Sequence, residues 1–215
     1  MRLKHKKVAT LAATLITFGS LAGGANGATI LDIASVTSGD ATAFGTLDRL
    51  IDQSGLSATY TPGVTDFTSF TSTTTHVNNS DPDAWATSGN SAVLIFDFGS
   101  SQTVSEFAFW GDNGSNSNNI DLFTIDVSND PGFAVFTSLG GGNGPLTNSD
   151  PVDAAVYDIT DGTGRYVRLS ANNQGGGFVI LGEVAFAGTA IPEPSSSLLL
   201  GFGVFGLATL RRRIN

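Results

Sequence analysis

Residues 93–110 read Val-Leu-Ile-Phe-Asp-Phe-Gly, then Ser-Ser-Gln, then Thr-Val-Ser-Glu-Phe-Ala-Phe-Trp. The first run is apolar on both faces and stops at Gly99, the pattern of a buried central strand. The second puts Phe107 and Phe109 on one face and Glu106, Ala108 and Trp110 on the other. Gly99 and the polar tripeptide after it read as the turn of a hairpin joining the two runs. A β-branched, aromatic hairpin of this length is expected to form the core of an all-β domain.

Short strand signals surround it. Residues 29–36 read as a first strand, and the spacing of Phe44, Leu47, Leu50 and Ile51 predicts a short helical turn over 43–51. Residues 59–77 are rich in Thr and Ser and read as an irregular loop or edge strand, and the loop 78–83 leads to Trp85, expected to pack beneath it. Residues 111–119 form a loop. In 120–128, Phe123, Ile125 and Val127 share one face, with Thr124 and Asp126 on the other. Asn129-Asp130-Pro131-Gly132 is a turn signal before a strand at 133–139, and 140–144 is read as a glycine-rich loop. Strands at 154–159, 165–170 and 178–187 complete the pattern. About eight strands punctuated by turns predict an antiparallel β-sandwich or jelly roll.

Both ends read as addresses rather than fold. Residues 1–27 carry a basic head, an apolar run over 8–21 and small residues at the end, the layout of a secretory signal peptide with a signal helix. Cleavage after Gly27 or after Ala28 suits the small residues there. Residues 191–215 hold Pro192-Glu193-Pro194, an apolar helical run over 198–210, then Arg211, Arg212 and Arg213. That run spans roughly 20 Å against a hydrocarbon core of about 30 Å. The arginines would stay on the cytoplasmic side, so the tail fits transient retention rather than a permanent transmembrane anchor. The domain between the ends, 28–190, has a length sufficient for one self-supporting core.

Between the ends, only Arg49, Arg165 and Arg168 face eighteen carboxylates, a balance of −15. Such a surface repels phosphate backbones, so nucleic acid and anionic membranes are poor partners and cations or neutral ligands are favoured; the other reading is a solvated surface that keeps an exported protein soluble. The chain has no cysteine, and His76 is the one histidine of this region. Thiolate chemistry and a histidine–cysteine zinc site are therefore absent. His76 stands in a polar loop without a nucleophile signature and is read as a surface residue. No catalytic residue is assigned, and the chain is read as non-catalytic.

The tail resembles the PEP-CTERM sorting signal of Gram-negative bacteria in its Pro-Glu-Pro triplet, short apolar helix and terminal arginines. The resemblance implies transient inner-membrane anchoring and a cut near the triplet by a membrane protease, exosortase. It also implies a link to exopolysaccharide and a destination at the cell surface or in the extracellular matrix. The middle resembles the discoidin or coagulation-factor type C family, also called galactose-binding-like. The residues that carry this are Leu50-Ile51-Asp52, Trp85, Phe96-Asp97-Phe98-Gly99, residues 104–110, residues 123–130, Arg165-Tyr166-Val167-Arg168-Leu169 and residues 181–186.

This second resemblance implies a jelly roll whose loops at one end bind sugars, lipids or proteins. Here those loops are rich in Thr, Asn and Gly. Asn172, Asn173 and Phe178 are the candidate ligand contacts, with Phe178 as the stacking aromatic; Phe178 also reads as the first core residue of the last strand. The resemblance further implies a calcium ion shared by Asp52 and Glu183 with backbone carbonyls, although Gln53 stands where the family has glycine. The other reading of these two is that Asp52 caps a turn and Glu183 pairs with Arg49 or Arg168.

Overall fold

The computed structural model describes residues 27–77, 83–112, 118–145, 150–173 and 175–190. The signal segment, the sorting tail and most of the 78–83 loop lie outside these residues. Two long antiparallel strands dominate: β6 (Ser91–Trp110) and β10 (Ala155–Asn173). They pair along nearly their whole length, from Ala155 opposite Phe109 to Asn172 opposite Ser91. The expected hairpin is therefore a single strand, and so are the expected strands at 154–159 and 165–170. Gly99, at φ +76°, bends β6 without reversing it.

The rest of the sheet is laid on this pair. β12 (Glu183–Ala190) joins the lower half of β6, and β1 (Thr29–Ile30) joins β12. β2 (Ser35–Ser38) pairs with the upper half of β6. β7 (Ile120–Ser128) pairs with the upper half of β10, and β8 (Thr137–Asn143) pairs with β7. β3 (Thr42–Phe44), β5 (Trp85–Thr87) and β11 (Ile180–Leu181) make a small second sheet, and β4 (Thr75–His76) pairs with β9 (Val152–Asp153). Among the described residues, seven of twelve strand segments have four residues or fewer, and the expected first strand, 29–36, is split between β1 and β2.

The bend closes the large sheet on itself. Phe186 of β12 meets Phe96 and Phe98 of upper β6 at 5.3 and 5.7 Å, and Phe107 of lower β6 at 5.2 Å. Phe123 of β7 meets Phe107 at 5.3 Å. Rings from both halves of one strand thus share one core, which makes the fold an antiparallel sandwich. At the bend, Asp97 accepts from Gly99 N–H (2.7 Å) and takes both Nε and Nη2 of Arg165 (2.7 and 2.8 Å). Arg165 sits at the register shift of β10, so a bidentate pair ties the two bends together.

The faces of β6 differ from the expectation in the upper half only. Phe107 and Phe109 enter the main core, while Ala108 and Trp110 enter a second cluster on the opposite face with Phe67, Phe70 and Tyr60. The chain at 56–76 covers that face, and it includes a short helix absent from the sequence reading, α1 (Phe67–Thr71), capped by Asp66 accepting from Ser69 N–H at 2.8 Å. Upper β6 has one buried face, whereas Val93 is exposed and Ile95 and Asp97 are half-exposed. The predicted loop at 140–144 is mostly strand β8, and strand begins at Thr137 rather than 133. Glycine is required there because a Cβ on Gly141 would lie 2.1 Å from the carbonyl oxygen of Phe123.

Gly99 has open space around it, its nearest neighbour to an added Cβ being Ala34 Cβ at 3.7 Å. Gly99→Ala should therefore cost only its backbone strain, about 1–2 kcal/mol. Urea unfolding reads this, and an unchanged midpoint would contradict the bend.

Candidate functional site

The open end of the sandwich, opposite the bend, gathers the loops after β10, before β6 and between β2 and β3. Near the end of β10, Asn172 stands opposite Ser91 and Leu122 and is exposed. Asn173 is buried and its side chain is spent on the loop: Oδ1 accepts from Gly175 N–H at 3.0 Å and Nδ2 donates to the carbonyl of Phe178. The Asn173 side chain therefore closes its own loop. Its backbone N–H donates to Asn90 O (2.9 Å), tying this loop to the one before β6. Asp40 anchors the third loop by accepting from Val93 N–H at 2.6 Å.

Phe178 is 38% exposed, so the structure takes it out of the core. Its ring lies 6.5 Å from that of Phe44, tilted by 58°. Phe44 packs on Ala84 and on Ala86 and Ile180 of the small sheet, which gives the pair a firm base. The sequence reading assigned Phe44 to the apolar face of a helical turn and missed this role. That turn is real but shorter, a 3-10 turn at Leu47–Leu50.

The 3-10 turn delivers Asp52 and Gln53. Gln53 adopts φ +62°, the left-handed conformation that glycine would take without strain. The turn thus forms despite the substitution. Gln53 holds it with its own side chain, whose Oε1 accepts from Tyr60 N–H at 2.7 Å. Glu183 opens β12 with no exposed surface. Its Oε2 accepts from Gln53 N–H (3.0 Å) and its Oε1 from the Tyr60 hydroxyl (3.4 Å). Neither arginine proposed for it reaches it: Arg49 pairs with Asp52 at 3.3 Å and Arg168 with Asp126 at 2.7 Å. Asp52 also caps its turn, accepting from Ser54 N–H at 2.9 Å.

Burial pushes the Glu183 carboxyl up to about 9, and the nearby Asp52 carboxylate adds to it. Burial likewise raises the Tyr60 phenol, helped by Glu183, Asp32 and Asp52. The structure therefore brings Asp52 and Glu183 to one place, joined through Gln53, with the Tyr60 hydroxyl on Glu183. No group of three or more His, Cys, Asp or Glu side chains suited to a metal occurs among the described residues. The donors present are all oxygen, and Glu183 is a buried carboxyl without a cationic side-chain partner among its hydrogen bonds. Carboxylate oxygens are the donors that calcium takes, and those of Asp52 and Glu183 already accept hydrogen bonds from Ser54, Gln53 and Tyr60.

His76 is fully buried, contrary to its reading as a surface residue. Nδ1 lies 2.7 Å from Val77 O and Nε2 2.9 Å from Ser54 O, so the ring staples two backbone segments. Gly55 makes room for it, since a Cβ there would stand 2.5 Å from the imidazole. The sorting-signal residues Pro192, Glu193, Pro194, Arg211, Arg212 and Arg213 lie outside the described residues. Among the described residues, no helix is long and apolar enough to cross a membrane.

The raised Glu183 carboxyl holds its proton more tightly in the folded than in the unfolded chain. In calcium-free buffer its contribution to stability is full below the ordinary carboxylate range and is lost as pH rises toward about 9. Melting temperature should fall from pH 5 to pH 9, and Glu183→Gln should flatten that slope; an equal slope in both proteins would contradict the assignment.

The F5/8 type C domain family matches residues 63–184, more than half of the chain, and the PEP-CTERM protein-sorting motif matches residues 190–213. No curated protein matches the chain. Solved structures of similar fold include CpGH89CBM32-5 from Clostridium perfringens, in complex with GalNAc-β-1,3-galactose. It is 17% identical with a TM-score of 0.50, over 71% of this chain and 93% of that one. Another is the family 32 CBM of C. perfringens NanJ in complex with galactose, 15% identical with a TM-score of 0.51, over 74% and 98%. At these identities the likeness is one of fold. With its antiparallel sandwich and the family match, the chain belongs to the F5/8 type C, discoidin-like family and carries a PEP-CTERM sorting motif.

Proposed function

We propose that this is a non-catalytic, exported surface protein that binds polysaccharide at the open end of its sandwich. The observation that carries the reading is the exposed Phe178 ring, braced by Phe44 above a loop that Asn173 holds closed. A fixed ring beside exposed polar groups suits a pyranose, which offers an apolar face and a hydroxyl edge. Asn172 is the exposed amide next to it. The sugar-bound states of the two C. perfringens structures support the same class of ligand. Residues 28–190 form the binding domain in this reading. Residues 1–27 direct export, and 191–215 retain the chain in the inner membrane until exosortase cuts near Pro192-Glu193-Pro194. Exopolysaccharide at the cell surface or in the matrix is then the partner. Intact mass of protein from the native host tests the processing: a mass that keeps the apolar tail would overturn it.

Calcium belongs to this proposal as a structural ion that fixes the Asp52 turn against the start of β12. Saturation at about 100 times the dissociation constant adds about 2.7 kcal/mol if only the folded state binds. Thermal melts in calcium and in chelator should differ by several degrees, and Asp52→Asn should remove the difference. Identical curves for the unaltered protein would mean no such ion.

Glycan binding itself is tested by affinity electrophoresis through gels containing neutral polysaccharides. Phe178→Ala should weaken retention about tenfold, the worth of one stacked ring. Retention should barely change with salt, because no ion pair is involved. Free migration of the unaltered protein in every gel would favour a structural surface protein without a small ligand.

A further inference from the structure

A second concave site lies at the other end of the sandwich, beside the bend. A cavity of about 400 Å³ opens between the turn after β7 and the bend in β10, within the range of about 300–1,000 Å³ typical of small-molecule sites. One wall is apolar. Val135 is 80% exposed and Phe136 is 49% exposed, an unusual outlay of apolar surface for a turn. The Phe136 ring is held in place from the protein side by the Arg168 guanidinium, 4.9 Å from its centroid, which also lies 4.7 Å from Phe133.

The opposite wall is polar and fixed. Asn129 Oδ1 accepts from Arg165 N–H at 3.0 Å, which orients the amide and leaves Nδ2 as a donor. Asp130 accepts from Gly132 and Ala134 N–H, both at 3.0 Å, so its carboxylate is locked and held below the usual range by those bonds. Thr137 and Thr163 also line the cavity, and the Thr163 hydroxyl is positioned by that of Thr103 at 3.1 Å. The two nearby cations are spent, Arg168 on Asp126 and Arg165 on Asp97.

We infer that this cavity is a second carbohydrate site, taking one unit of a neutral polysaccharide with its apolar face on Phe136 and its hydroxyls on Asn129, Asp130, Thr137 and Thr163. An anionic sugar would find no available cation and would face the Asp130 carboxylate. The site is distant from Phe178 along the fold: Thr163 pairs with Thr103 just past the bend, whereas Asn172 pairs with Ser91 at the opposite end of upper β6. A domain with a site at each end can bridge two glycan strands, so it would cross-link a polysaccharide rather than merely coat it. The inference shares its ligand class with the proposed function but not its residues, and it stands if the Phe178 site fails.

The test is amide-resolved NMR of the full-length protein, titrated with neutral galacto-, gluco- and manno-oligosaccharides. The expected result is a set of shifts at Asn129 Nδ2–H, Thr137 and Thr163 that persists in Phe178→Ala. Phe136→Ala should weaken those shifts about tenfold. Thr137→Val, which keeps the strand shape and removes one hydroxyl, should weaken them about fivefold. Shifts confined to the loop around Asn172 and Phe178 would overturn the second site and leave the first. Shifts at neither end, with all three sugar series, would overturn both.

Discussion

The bidentate pair between Asp97 and Arg165 joins the two places where the sheet must fold. Strands of 20 and 19 residues, paired throughout, would otherwise form a flat ribbon with two exposed faces. Folding it over brings Phe96 and Phe98 against Phe186, and Phe123 against Phe107. The ring burial drives the closure and the ion pair sets where it happens. Both side chains remain partly exposed, so the pair's own contribution to stability is modest and its value is positional. Everything at the two ends of the sandwich, from Phe178 to Phe136, takes its place from that fold line.

The alternation of Phe123, Ile125 and Val127 gives β7 its limits and its inner face, and both match the structure, because a local period reports a local partner. Gly99 shows where local reading fails. A left-handed glycine followed by Ser-Ser-Gln serves a hairpin turn and a strand bend equally well. The choice is made by β10, more than forty residues away, which offers a partner to both halves of β6. The run at 140–144 misleads for a similar reason: its glycines mark close approach to the Phe123 carbonyl, not a loop. His76 looked exposed because its neighbours are polar, while the space that admits it is made by Gly55.

In the sequence, Asp52 and Glu183 are singled out by the family resemblance and Phe178 by the polar loop before it. Their environments are not legible there. Nothing in Asn172-Asn173 says that one amide is exposed and the other consumed by its own loop. Tyr60 sits among threonines in the sequence, yet it fills the gap between Glu183 and the second apolar cluster, with its ring 5.3 Å from Phe70. Gln53 is the sharpest case. A side chain at φ +62° is strained, and the strain is offset by the bond from Tyr60 N–H to its Oε1, which glycine could not make.

The charge of the domain sets the terms for whatever it meets. All three arginines between the ends are bonded to aspartates: Arg49 to Asp52, Arg165 to Asp97 and Arg168 to Asp126. Each cation is engaged within the fold, and the remaining carboxylates dominate the field outside. In the proposed function, recognition therefore rests on rings, amides and hydroxyls, such as those of Phe178 and Asn172 at one end and Phe136 and Asn129 at the other. The acidic surface between them keeps copies of the protein apart by mutual repulsion. Under the proposed function, contact between copies runs through a shared uncharged polymer and not through direct association, because like-charged surfaces repel while a neutral chain can approach both.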